Sequence, residues 1–113
     1  MGRFMYGTPP TTVEFDDRVL AHLRVVIASK LRRTESFLFT WDYDVNAGSG
    51  SSTVWLHPAI AMQFDFRGSR QPRLNHLWLE DLVRSSNSIG GLRIVPEPDE
   101  RTDKPADITA IGA

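Results

Sequence analysis

The chain contains no cysteine, so neither a disulfide framework nor a thiolate metal site can be built from it, and a reducing, cytoplasmic setting is the natural expectation. Lysine is nearly absent as well, occurring only at Lys30 and Lys104. Long apolar runs are missing: "VVIA" at residues 25–28 falls far short of the roughly 20 residues that a membrane helix needs. The opening "MGRFMYGTPP" has no apolar stretch and is broken by Pro9-Pro10, so no signal peptide is predicted and no membrane partner is expected. There is also no excess of one charge, the net value being −1. A general nucleic-acid coat would be strongly basic, so any contact with a charged polymer must use a local patch.

A length of 113 residues supplies one hydrophobic core and not two. "RFMYG" and "TTVEFD" read as short strands around Thr8-Pro9-Pro10, where proline removes a donor and fixes its dihedral; a hairpin is the simplest reading. From Asp16 the period changes. Val19, Leu20, Leu23, Val26, Ile27 and Leu31 recur at spacings of three and four, which predicts an amphipathic helix capped by Asp16 or Asp17. "ESFLFTWDYD" returns to alternation, with Phe37, Phe39, Trp41 and Tyr43 on one side. "STVWLH" and "AMQFDFR" follow as strands with a corner at Pro58. "LNHLWLEDLVRSSNS" predicts a second helix with Asn75 as N-cap, Leu74 and Leu79 as the hydrophobic staple, and a stripe of Trp78, Leu79, Leu82 and Val83. Gly90-Gly91 ends that segment, and "LRIVPE" is a last strand. The predicted order is β-β-α-β-β-β-α-β, an α+β fold with a mainly antiparallel sheet and both helices on one face. Residues 1–97 form the single domain. Residues 98–113, rich in proline and charge, are predicted to be a disordered tail.

A sheet covered on one side leaves the other face open. With Val54 and Leu56 turned inward beside Met62, Phe64 and Phe66, the residues Trp55, His57, Asp65 and Arg67 would look outward together. An exposed tryptophan beside arginine suits a protein contact or a dimer seam, and it also suits stacking on single-stranded nucleic acid. Lys30, Arg32 and Arg33 with nearby Arg24, and Arg70 and Arg73 in "RGSRQPR", are candidate phosphate ligands. The plainer expectation for the first three is that they complement a helix C-terminus.

Other chemistries fail on spacing. "DYDVNAGSG" offers Asp42, Asp44 and Asn46, but Ala47 and Thr53 stand where a calcium loop needs glycine and glutamate. His22, His57 and His76 have no metal-ligand spacing; His76 and Glu80 make only two ligands. No serine sits in a nucleophile elbow and no acid–base pair stands out. No catalytic residue, cofactor or metal is therefore expected.

"MGRFMYG", "VEFDDRVLAHLRVVIASKLRRTESF", "STVWLHPAI" and "NHLWLEDLVRSSNSIGGLRIVPEP" together resemble a group of small actinobacterial proteins. These often carry the label "ATP-dependent DNA ligase", or else "domain of unknown function". The resemblance implies membership of an uncharacterised family and, through its label, a connection to DNA ligation. The residues do not carry ligase chemistry, which needs a nucleophilic lysine in Lys-x-Asp-Gly. Lys30 begins "KLRR" and Lys104 begins "KPAD". The expectation is a non-catalytic binding module, with a protein partner or a second copy first and a DNA-binding accessory role second.

Overall fold

The structure is a computed structural model, described over residues 1–43 and 50–99. Its elements are β1 (Gly2–Tyr6), β2 (Thr11–Phe15), α1 (Asp17–Arg32), β3 (Phe37–Asp42), β4 (Ser51–Leu56), β5 (Met62–Asp65), α2 (His76–Ser86) and β6 (Leu92–Arg93). The α+β class and the predicted order hold. The strands divide into two three-stranded sheets, β2-β1-β5 and β4-β3-β6, rather than forming one continuous surface. The first sheet is wholly antiparallel; in the second, β6 runs parallel to β3. Asp44 and Asn46 of the calcium-like run, and residues 100–113 of the predicted tail, lie outside the described residues.

The split follows from the corner at Pro58. Ile60 N–H donates to the His57 carbonyl at 3.0 Å, a tight turn that leads the chain away from β4 and onto β1. The sheets are then joined by aromatic side chains. Phe39, fully buried, lies 6.0 Å from Phe4 and 6.2 Å from Phe15 of the first sheet, and 5.3 Å from Trp41 on its own strand. Each sheet has its own helix: α1 touches β1, α2 touches β3 and β6, and the helices touch each other. Leu20, Leu23, Val26 and Ile27 of α1 are buried as the periodicity requires, with Trp78 and Leu82 facing them from α2. The turn after α2 needs glycine at Gly91, whose φ is +83° and where a Cβ would stand 2.4 Å from the Leu38 carbonyl oxygen.

The helix pair is fixed by a polar node in the core. The Asn75 backbone N–H donates to His22 Nε2 at 2.8 Å, and the other ring nitrogen, Nδ1, lies 2.7 Å from the Arg18 carbonyl. An amide N–H can only donate, so Nε2 is an acceptor and the proton sits on Nδ1, pointing at Arg18. His22 is thereby held as one neutral tautomer, at 0 % exposure and 4.5 Å from the Trp78 ring. The Asn75 side chain caps α2, accepting from Leu77 N–H at 3.0 Å and Trp78 N–H at 3.2 Å. Its amide group donates to Glu97 and to the Pro98 carbonyl. Glu97 in turn takes two hydrogen bonds from the Arg18 guanidinium, at 2.9 and 2.5 Å, while Trp78 Nε1 donates to the Val95 carbonyl at 2.8 Å. Asp16 begins α1 without a side-chain cap; Asp17 instead accepts from Gly68 N–H at 2.9 Å.

Replacing Asn75 removes a cap and strands buried donors, so Asn75→Ala is expected to cost about 2–4 kcal/mol, a fall in melting temperature on the order of 10–20 °C by differential scanning calorimetry. The node also sets a pH dependence. Hydrogen bonds from Arg18, then from Asn75, lower the Glu97 carboxyl from 4.5 to about 2. A depressed folded-state value stabilises above the unfolded value, so this contribution is complete above about pH 4.5 and is lost as the pH falls toward 2. Thermal melts between pH 6 and pH 3 should therefore fall more steeply for the wild type than for Glu97→Gln; parallel curves would remove Glu97 as the source.

Candidate functional site

β4 is the outer strand of its sheet, and alternate residues along it face opposite sides. Leu56 is fully buried, whereas Trp55 is 52 % exposed. The ladder sets Leu38 opposite Trp55, Thr40 opposite Thr53 and Asp42 opposite Ser51 on one face. Thr40 and Thr53 hydroxyls bond each other at 2.7 Å, and Arg93 of β6 approaches Asp42 at 3.8 Å. Thr40 is buried, so what this side shows to solvent is Thr53, Trp55 and the Asp42–Arg93 pair. The backbone anchor of this side is Tyr6, whose hydroxyl donates to the Trp55 carbonyl across the seam between the sheets; burial raises the Tyr6 phenol above its ordinary value.

The sequence grouped Trp55 and His57 with Asp65 and Arg67, and the structure separates them. Trp55 and His57 belong to β4 and the turn after it; Asp65 and Arg67 belong to β5 and its exit, in the other sheet. The grouping required β4 and β5 to be neighbours, but β4 pairs with β3 and β5 with β1. His57 shapes the corner, its Nδ1 accepting from Ala59 N–H at 3.0 Å. Asp65 accepts from Gln63 at 2.9 Å and lies 4.0 Å from Arg3.

The basic residues separate too. Lys30 is buried and bonded to Asn87 Oδ1 at 2.5 Å and to Glu35 at 3.1 Å, with its ammonium 5.5 Å from the Phe37 ring centre. It cannot turn to a phosphate without breaking these contacts. Arg33 also faces Glu35, at 3.6 Å. The Lys30 hydrogen bond, helped by the Arg33 and Lys30 charges, holds the Glu35 carboxyl below its usual range. Among the described residues, Arg24, Arg32, Arg67, Arg70 and Arg73 have no acidic partner within 4.0 Å. Arg24 is the one the sequence set beside "KLRR" as part of a possible phosphate patch. It lies on α1, half-buried, with its guanidinium 4.8 Å from the Phe66 ring centre. Nothing in the sequence brings it to the 68–72 loop, where the structure places it.

No group of three or more His, Asp or Glu side chains among the described residues is placed to hold a metal ion. A depression of about 780 Å³ between β2 and the end of β3 has Glu14, Asp42 and Tyr43 as its ionisable lining groups among those residues. No helix in the described residues is long and apolar enough to cross a membrane.

Neither the curated proteins nor the solved structures include a match to this chain. A family model does match, across residues 1–97, from β1 to the Glu97 that closes the Asn75 node. The chain belongs to the family described as domain of unknown function DUF7882.

Proposed function

We propose that the protein is a cytoplasmic, non-catalytic binding module that associates through β4 and the open face beside it, with a second copy of the chain as its first partner. The observation that carries this reading is the exposure of Trp55 on an uncharged outer strand. The two sheets have four outer strands: β2 carries Glu14, β5 carries Asp65, and β6 is two residues long and carries Arg93. β4, "SSTVWL", carries no charge and no proline. Charges, proline and shortness are how outer strands avoid pairing with another chain, and β4 has none of them. An antiparallel β4–β4 pairing about a two-fold axis brings identical uncharged strands together without like-charge repulsion. Exposed tryptophan is also the residue type most often dominant in an interface.

Sedimentation equilibrium across micromolar to millimolar protein tests this reading. A reversible rise toward dimer mass is expected, weakened about 30-fold or more in Trp55→Ser and abolished in Thr53→Lys, which puts a charge on the outer strand. Trp55→Ser should melt close to the wild type, since its side chain is half-exposed; Thr53→Lys also gives up the hydroxyl bond to buried Thr40, so its melt is measured before its mass is read. A mass that stays monomeric at every concentration overturns self-association.

The arginines without acidic partners support a second reading, a nucleic-acid accessory role, because such cations are the groups available to displace counterions. Trp fluorescence titrations with single-stranded, duplex and nicked DNA at several salt concentrations test it. Micromolar binding that weakens steeply with salt supports the reading; no change at low salt removes it.

A further inference from the structure

The loop after β5 closes over a small cavity that the open-face reading does not use. It has a volume of about 140 Å³ and is lined by Arg24, Phe66, Ser69, Arg70, Gln71 and neighbouring backbone. Its two cations arrive from different elements, Arg24 from α1 and Arg70 from the loop. Neither has an acidic partner among the described residues. Arg24 is positioned by the Phe66 ring at 4.8 Å, a contact that orients a guanidinium while leaving its in-plane N–H groups to bond elsewhere.

The nearest carboxylate behind the loop is already engaged. Asp17 takes the Gly68 N–H at 2.9 Å and the Arg67 N–H at 3.5 Å, and lies 3.9 Å from the amino terminus. It tethers the loop at Gly68, where an added Cβ would stand 3.1 Å from Asp17 Oδ2. Its charge is shared among these donors. The cavity therefore combines two arginines, a serine hydroxyl and a glutamine amide, a set dominated by donors.

Size limits what can enter. At about 30 Å³ per water, the space equals between four and five waters, too little for a nucleoside and well below the several hundred Å³ of a drug-sized pocket. A tetrahedral oxyanion fits that volume, and the planar fork of arginine matches its oxygens two at a time. We infer that this cavity is a phosphoryl-group site, with Arg24 and Arg70 gripping the oxygens and Ser69 and Gln71 completing the shell. The inference stands apart from the β4 reading, since no residue is shared. A free phosphate and the terminal phosphate of a nucleic-acid strand both present this chemistry.

The test is a titration of the intact chain at fixed ionic strength, followed by amide chemical shifts and by melting temperature. The ligands are inorganic phosphate, a 5′-phosphorylated oligonucleotide, and the same oligonucleotide with a 5′-hydroxyl. Inorganic phosphate is expected to saturate with a Kd of about 1 mM or tighter, shifting the amides of residues 68–72 and raising the melting temperature as bound ligand must. Arg70→Ala and Arg24→Gln should each weaken binding about tenfold or more. Arg70 is exposed, so its variant should melt normally without ligand; Arg24→Gln gives up the guanidinium contact with Phe66, so its ligand-free melt is read beside its binding. Tighter binding of the 5′-phosphorylated strand than of free phosphate assigns the site to strand ends, and the reverse assigns it to a small anion; either supports the inference. Absence of saturable phosphate binding, or binding that both variants retain, overturns it, as does equal affinity for the 5′-hydroxyl strand. Loss of phosphate binding leaves the dimer measurement untouched, so the two readings fail separately.

Discussion

Asn75 has a single job on each polar atom, and the remaining architecture follows from their being done together. Its oxygen starts α2, its amide group holds Glu97 and Pro98, and its backbone N–H fixes the tautomer of His22. A buried polar group left without partners costs more than a satisfied one contributes, so this cluster is formed as a whole or not at all. Because its members come from α1, α2 and the segment after β6, it sets the angle between the helices and brings the end of the domain back onto its middle. The family match ending at residue 97 ends on a member of this cluster.

Charge is distributed by the same logic. Three carboxylates have structural tasks: Glu97 bonds Arg18, Asp17 holds the 67–68 backbone, and Glu35 holds the buried Lys30. A chain of net charge −1 can still carry a local positive corner, because Arg24 and Arg70 have no acidic partner within 4.0 Å among the described residues and the Asp17 behind the loop is bonded to its backbone. Net charge bounds the average field and says little about any one cavity.

Much of the fold was legible because it rests on local rules. The 3.6-residue stripe in α1, the Asn75 cap and the alternation through Phe37, Phe39 and Trp41 each appear in a short window of sequence; Leu20, Leu23, Val26, Ile27, Phe37, Phe39 and Trp41 are buried as that window requires, while Thr40, on the other side of the alternation, is buried too. Tyr43, read as part of the same inner side, is half-exposed because β3 has ended before it. Strand pairing is not local. Nothing in "STVWLHPAIAMQFDF" states that the corner at Pro58 delivers β5 to β1 instead of β4, so the cluster of Trp55 with Arg67 dissolved while the exposure of Trp55 itself did not depend on the pairing. Lys30 was misplaced for a related reason: its acceptors, Asn87 and Glu35, come from other segments, and a terminal lysine on a helix looks the same in sequence whether it is solvated or buried.

The division into two sheets has a mechanical side. Within each sheet the strands are linked by directional hydrogen bonds that resist shear. Between them the joint is Phe39 against Phe4 and Phe15, dispersion contacts that depend on distance far more than on angle. The molecule is thus stiff along its ladders and compliant at its waist, with the Tyr6 hydroxyl on the Trp55 carbonyl as a polar pin across that waist. A load applied at the exposed tryptophan would be felt first at this hinge pin, and the two halves would answer by tilting before either ladder gave way.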